Sequence, residues 1–403
     1  MADFGGDAEA FRLEARSWLE ENFPASLKKN PMGQMAAAMG GMEESADAKL
    51  WRERMGAKGW GVPTWPKQYG GGGLSRQEAR VLAEEMAKIG ARNPIGGMGV
   101  SMFGPTLLEY GTEAQKAKHI PPIARGELRW CQGYSEPGAG SDLASLKTRA
   151  ELVGDEFIVN GQKVWTSNAQ IADWMFCLVR TDPAAPKHRG ISYLLIDMKT
   201  PGITVRPLIQ MTGDAGFNEV FFDNVRVPRR NLVGELNQGW QVANATLAHE
   251  RNMLGSTTRT QQMFNGLLQL AQGHQRYGKP ASADPVMRQK LAGLMIRVEA
   301  MQYHSLRQLT DALRGRPPGI AASINKLVST ELNHEIAALA LEVMGNYGPL
   351  ARSAARAIDR GVWPYEFMFT LGLVIGGGTS QIQKNIISER GLGMPREERG
   401  LRG

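Results

Sequence analysis

Cysteine is nearly absent from this 403-residue chain: Cys131 and Cys177 are its only two, and no CxxC spacing exists. That excludes a disulfide framework and suits a reducing cytoplasm, with both thiols read as packing residues. Long apolar runs are missing too. No stretch of about 18 uncharged apolar residues occurs, and the N-terminus MADFGGDAEAFRLEARSW carries acids where a secretory leader carries bases. The expectation is an unprocessed, soluble chain with no membrane segment. No block of five or more Lys/Arg residues interleaves with aromatics, which argues against nucleic acid despite a net charge of +7. A mild positive field equally suits a small molecule carrying several phosphates. The six histidines, His119, His188, His249, His274, His304 and His334, form neither HExxH nor a paired i,i+4 set, and no Cys cluster joins them, so no metal site is expected. There is no GxSxG elbow, and in SEPGAGSDL Leu143 stands where a dinucleotide fingerprint needs its third glycine.

What is present is enough apolar residue, 42%, for two or three packed domains. Phe11, Ala15, Trp18, Leu19 and Phe23 recur at helical spacing and predict a first helix over 8–23, ended by Pro24. The segment 28–47 has no clean period and reads as a loop or a weakly specified helix. Helical patterns such as RQEARVLAEEMAKIG continue to about Leu128. The texture then turns strand-like. In FIVNGQKVW the Asn160-Gly161 pair between alternating runs predicts a hairpin turn, and ADWMFCLVRT, GISYLLID, ITVRPL and NEVFFDNVRVP predict further strands. Helical spacing returns over 236–276, 284–314, 317–346, 350–360 and 379–391, and four long helices of this kind make a bundle. The expected class is mainly α with a β middle: an α-helical domain over 1–128, a β domain over 129–235 and a four-helix bundle over 236–403.

Small and hydroxyl residues gather in WCQGYSEPGAGSDLASLKT and, one hairpin later, in KVWTSNAQ. Gly138 and Gly140 allow backbone N–H groups to approach an anionic or carbonyl-bearing ligand, and Ser135, Ser141 and Ser167 offer donors. Trp165 adds a flat apolar face. The same residues also fit a glycine-rich connection around a core Trp.

Taken jointly, the order and spacing of QGYSEPGAGSDLASLKT, WTSNA and GGTSQIQKNII over nearly the whole chain resemble the acyl-CoA dehydrogenase family. The resemblance implies an α-helical domain, a β-barrel-like middle domain and a C-terminal four-helix bundle. It further implies FAD-dependent α,β-desaturation of an acyl-CoA, with electrons passed to an electron-transferring flavoprotein. By motif position, Gln132, Gly133, Tyr134 and Ser135 line the flavin ring, and Gly140 and Ser141 border flavin and substrate. Trp165 covers the ring beside Thr166, and Ser167 stands for the usual Thr near the reactive N5. Thr379 and Gln381 match positions that contact the FAD of a neighbouring subunit, which implies an oligomer, commonly a tetramer of one chain or of two kinds. The family's adenosine-end Arg is replaced by His274, with Arg276 close by, and its Q-x-x-G-G-x-G becomes Glu342 to Gly348 with Asn346 inside.

Desaturation needs a base for the α-proton. In the commonest family layout it is a Glu in the C-terminal signature, and here that position is Gly377. A second layout resembles isovaleryl-CoA and long-chain dehydrogenases; LAHERNML matches it, which implies Glu250 as base, with Arg251 beside it at the substrate. On helix spacing alone, Trp240, Ala243, Leu247 and Leu254 form an apolar stripe with Glu250 at its edge. Such a carboxylate is either desolvated, and so raised in pKa toward a base's range, or solvated, or paired with an Arg. Gly377 is expected to offer its backbone N–H to the thioester carbonyl. Thr379 or Ser380 can cap the helix that follows, and Ser380-x-x-Gln383 fits a capping box. Two further readings remain: a partner subunit of a heteromeric dehydrogenase that does not itself desaturate, and an oxidase on the same fold.

Overall fold

The structure is a computed structural model and describes residues 6–30, 33–35, 43–316 and 319–396. Contacts divide the chain into two compact units: Met1–Gln210 with Ala215–Thr246, and Met211–Asp214 with Leu247–Gly403.

The first unit begins with helices α1 (Gly6–Asn22), α2 (Ala46–Lys58), α3 (Arg76–Ile89), α4 (Gly104–Tyr110) and α5 (Glu113–Ala124). As the spacing predicts, α1 buries Phe11, Ala15 and Leu19. Between α1 and α2 the described residues form only short 3-10 turns, Ala25–Lys29 and Gly33–Met35; the rest of the 28–47 call lies partly outside the described residues. Capping boxes at Ser75/Glu78 and Thr112/Gln115 start α3 and α5.

Eight strands follow: β1 (Trp130–Gly133), β2 (Arg149–Val153), β3 (Glu156–Ser167), β4 (Trp174–Arg180), β5 (Ile191–Asp197), β6 (Ile203–Leu208), β7 (Phe217–Pro228) and β8 (Leu232–Val233). They run in the order β6-β7-β3-β2-β4-β5-β8, with β1 parallel to β4. Their inward residues, among them Phe157, Val159, Cys177, Leu194 and Val220, form one apolar core. Cys131 and Cys177 are buried in it, and burial lifts both thiols far above their usual range, Cys177 to about 12.

The hairpin expected at Asn160-Gly161 is not there. The chain turns at Gly154-Asp155, between β2 and β3, and Asn160-Gly161 sits inside β3. Gly161, at φ +147, is needed for a different reason: a Cβ there would come within 2.7 Å of Thr148, and the pairing with β7 shifts register at this point.

The second unit holds the end of α6 (Gly239–Leu254) and α7 (Thr257–Gly273), α8 (Pro285–Leu313), α9 (Ala321–Met344), α10 (Val362–Ile375) and α11 (Ser380–Ile386). Phe264, Leu267, Leu294, Val298, Leu332, Ile336 and Trp363 share its core. The single helix expected over 236–276 is broken at Gly255-Ser256, because Gly255 lies against α9, where a Cβ would come 2.8 Å from the Lys326 backbone N, and Ser256 caps α7. Residues 350–360 are not a helix: Asp359 and Arg360 take left-handed φ of 49° and 55°, which interrupts any helical run. The fourth long helix is instead α10, VWPYEFMFTLGLVI, whose nearly unbroken apolar sequence hides the amphipathic period. Residues 317 and 318 of the expected 317–346 helix lie outside the described residues; α9 begins at Ala321.

Candidate active site

The first cluster lies in the β unit. β1 leads into Tyr134-Ser135-Glu136, and Val164 N–H of β3 donates to the Ser135 carbonyl at 2.9 Å, so the two signature runs are neighbours. Beneath them is a fully buried ion pair. Lys163 Nζ donates to Glu136 Oε1 at 2.8 Å and to the Tyr134 carbonyl at 3.1 Å, while Glu136 accepts from the backbone N–H groups of Lys147 and Thr148. Burial pushes the Glu136 pKa up, but Lys163 and these donors outweigh it and hold the carboxyl below its usual range.

Between Lys163 and Thr166, β3 carries one residue more than its β7 partner, and this bulge turns Trp165 out to 60% exposure at φ +59. A left-handed Trp costs of order 1–3 kcal/mol, which marks a site where a side chain is aimed rather than merely packed. Ser167 is half-buried, whereas Thr166 points into the sheet, its Oγ1 fully buried and without a partner among the described residues. Gln132 and Ser135 are half-buried, Gly133 and Tyr134 buried. Gly140 and Ser141 are exposed, and a Cβ on Gly138 or Gly140 would meet nothing within 4 Å. An exposed Trp face, an open glycine turn and nearby hydroxyls fit a flat heteroaromatic ring with polar edges.

The second cluster lies in the helical unit and centres on Glu250. Along α6 the buried residues are Val242, Ala243 and Thr246, while Trp240, Leu247 and Leu254 are half-buried. The fully buried positions are therefore rotated from the expected stripe, and Glu250, one turn after Thr246, is half-buried like Leu247 and Leu254. Arg251 is half-buried; burial pulls its pKa down, while Glu250 raises it and Arg390 lowers it further. Gly377 sits at φ +65 in the loop between α10 and α11. A Cβ on Gly377 would come 3.5 Å from Glu250 Oε1 and 2.6 Å from Leu254 Cδ1. The helix carboxylate thus lies next to the position whose own carboxylate is missing.

Two side chains hold that loop. Lys326 Nζ donates to the carbonyls of Gly378 (2.7 Å) and Val374 (3.1 Å), and Gln383 Nε2 donates to the Gly377 carbonyl (2.8 Å). Thr379 is the cap, accepting from Ile382 N–H. Ser380 is already inside α11 and Gln383 faces the glycines, so the expected capping box does not form. Gln381 is exposed and Thr379 half-buried. Glu342, in place of the family's Gln, pairs with Lys290 at 2.6 Å and borders a cavity of about 500 Å³ with Leu341, Gly345, Pro364 and Phe367. His274 ends α7 with its ring against Tyr347.

Sequence reading missed Glu136, Lys163 and Lys326. A signal existed for Lys163, which shares the inward parity of Phe157 and Val159. Among the described residues no group of three metal-binding side chains occurs, and no helix is long and apolar enough to cross a membrane.

A helical domain, a β unit with an outward Trp and an open glycine turn, and a helical bundle bearing a carboxylate beside a glycine loop match the order of domains in a class of thioester-desaturating oxidoreductases. Three family descriptions match in order: Acyl-CoA dehydrogenase N-terminal domain over 7–127, middle domain over 131–225 and C-terminal domain over 237–392. The chain belongs to the acyl-CoA dehydrogenase family. It is 37% identical over 402 residues to Acyl-CoA dehydrogenase IpdE1 of Mycobacterium tuberculosis, covering 98% of this chain and 100% of that one. Among solved structures, the Tcur3481-Tcur3483 steroid ACAD matches with a TM-score of 0.78 and 31% identity over 97% of this chain and 98% of that one. The ChsE4-ChsE5 complex from Mycobacterium tuberculosis matches with a TM-score of 0.78 and 33% identity over 98% and 100%.

Proposed function

We propose that Glu250 is the base that takes the α-proton of an acyl-CoA bound by this chain. The observation that carries this reading is the placement of Glu250 Oε1 3.5 Å from where a side chain on Gly377 would begin. A carboxylate on α6 there replaces the one absent from the C-terminal loop. Arg251 and Lys326 lie close enough for the Glu250 carboxylate to act on both, opposing the downward pull of burial on each cation. The Gly377 backbone N–H polarises the thioester carbonyl and so acidifies the α-carbon.

FAD, when bound, accepts the hydride lost from the β-carbon, and its visible absorbance reports that loss. Trp165 would cover its ring, Ser167 would offer it a hydroxyl donor, and Gln132, Gly133, Tyr134 and Ser135 would line its polar edge. Gly140 and Ser141 would border it. Thr166 contributes through its backbone, since its side chain is buried. Electrons then pass to an electron-transferring flavoprotein. We place this chemistry in the cytoplasm, where Cys131 and Cys177 stay reduced.

The acyl group we propose is bulky and ring-bearing. Its support is the lack of any side chain at residues 376–378 and the similarity to the Tcur3481-Tcur3483 steroid ACAD. The test is anaerobic titration with a panel of acyl-CoAs. Wild type is expected to bleach its flavin with ring-bearing substrates, and Glu250→Gln to keep FAD yet lose bleaching by at least ~10³-fold. Normal bleaching in that variant rejects the base, and a preference for short straight chains rejects the substrate class.

A second reading concerns assembly. One neighbour is the ChsE4-ChsE5 complex, and in this chain His274 and Glu342 replace the family's adenosine-end residues. A heterotetramer then competes with the homotetramer. The spectrum of the chain purified alone decides: a colourless protein that turns yellow only with a co-expressed partner supports the heteromer.

A further inference from the structure

Lys326 transfers no proton in the chemistry just described, yet its side chain is fully buried in the helical unit. A buried ammonium is costly unless its donors are used. Here they are spent on the main chain of one segment: the Gly378 carbonyl at 2.7 Å and the Val374 carbonyl at 3.1 Å, which bracket the three glycines. The same residue's backbone forms the surface against which Gly255 packs, one residue beyond α6, so closely that a Cβ on Gly255 would meet Lys326 N at 2.8 Å. Lys326 therefore touches both pieces whose separation matters. Its backbone sets where the base-bearing helix ends, and its side chain sets where the glycine loop lies.

A run of three glycines needs such a clamp. Gly377 and Gly378 hold φ of +65 and +92, and without side chains the loop has no packing of its own to fix its path. Gln383 supplies a second side-chain tie, to the Gly377 carbonyl, and the Gly376 N–H donates back to the Gly372 carbonyl of α10. We propose that Lys326 is the positioning residue of the base site, clamping the Gly376–Gly378 loop so that the Gly377 backbone stays in register with the Glu250 carboxylate. The proposal rests on the reading of Glu250 as base. The charge states agree with it: burial pulls the Lys326 ammonium down to about 8, with Glu250 and Glu331 pulling upward, so the clamp is cationic at neutral pH.

The test uses the FAD-loaded protein and Lys326→Met, which keeps the length and removes the donors. Two rates are read at saturating acyl-CoA: exchange of the α-hydrogen with deuterium oxide, which follows the base alone, and flavin bleaching. Both are expected to fall roughly 10- to 100-fold while FAD content and KM stay within about threefold, the pattern of a misplaced reacting pair. A merely structural lysine would lower yield or melting temperature and leave these rates intact in folded, FAD-loaded molecules. Rates within about twofold of wild type overturn the proposal. If Lys326→Met does not fold, Gln383→Met removes the other tie to the same loop, and wild-type exchange in it overturns the proposal equally. The two readings fail separately. Wild-type activity with a normal Glu250→Gln variant rejects the base and the clamp with it; a dead Glu250→Gln with an unimpaired Lys326→Met rejects the clamp alone.

Discussion

Among the described residues two lysines are fully buried, and each holds one cluster of the site: Lys163 under the β-unit signature, Lys326 under the glycine loop of the helical unit. Lys163 faces a carboxylate, Glu136, that is itself held by two backbone N–H groups, and the strands on either side have a fixed register. Among the hydrogen bonds described, Lys326 donates only to carbonyls, one in the last turn of α10 and one in the glycine loop that follows it. The lesson is that a buried charge can be part of a closed polar network or can act as one of a few brackets on an otherwise loose segment. The first kind should fail by unfolding and the second by misalignment.

The largest expected effect comes from breaking the closed network. Lys163→Met strands the buried Glu136 carboxylate and should cost about 3–5 kcal/mol in urea unfolding, with loss of bound FAD. Adding Glu136→Gln should restore much of that; a double variant as unstable as the single one would contradict the pairing.

pH separates the two lysines next. The folded Lys326 pKa, about 8, lies below the unfolded value, so folding disfavours its proton. Wild type should therefore gain stability as pH rises from about 8 to about 10.5, by at most ~3 kcal/mol, and Lys326→Met should lack this rise. Glu136 behaves in the opposite range. Its lowered pKa contributes stability above the usual carboxylate range and loses it on acidification, and Glu136→Gln should flatten that acid limb. Melting curves across pH read both limbs.

Smaller effects belong to the loop. Gly377→Ala forces a side chain to φ +65 against Leu254 and should cost about 1–2 kcal/mol of stability, while FAD stays bound. Thr379→Ala removes the α11 cap and should cost about 1 kcal/mol by the same thermal measurement.

The helix–sheet–helix order and the strand runs were legible because each rests on a local period, as with Phe11, Ala15 and Leu19 or the alternation in β7. The errors share a cause. Gly161 looked like a turn because glycine has two uses, flexibility and close approach, and only the tertiary neighbour Thr148 tells them apart. α10 escaped because an all-apolar helix has no polar face to reveal its period. Glu250 and Gly377 were legible as a pair only through motif position, since the 126 residues between them give no local hint that a Cβ at 377 would lie 3.5 Å from Glu250. Lys163 and Lys326 were hidden for a simpler reason: charge is read as surface until parity or helical row is checked. Lys326 shares its α9 row with Asn333, Ala337 and Ala340, all buried.

Cys131 and Cys177 carry one practical consequence. Both sulfurs are sealed in the β core and held as thiols far above working pH, so neither reacts readily with alkylating reagents in the native state. A cysteine introduced at an exposed position, such as Ser141 beside the glycine turn, would be the only addressable thiol in the native chain. A fluorophore or spin label could then be placed at will without first removing a native residue, and substrate arrival could be followed in the dark as well as through flavin colour.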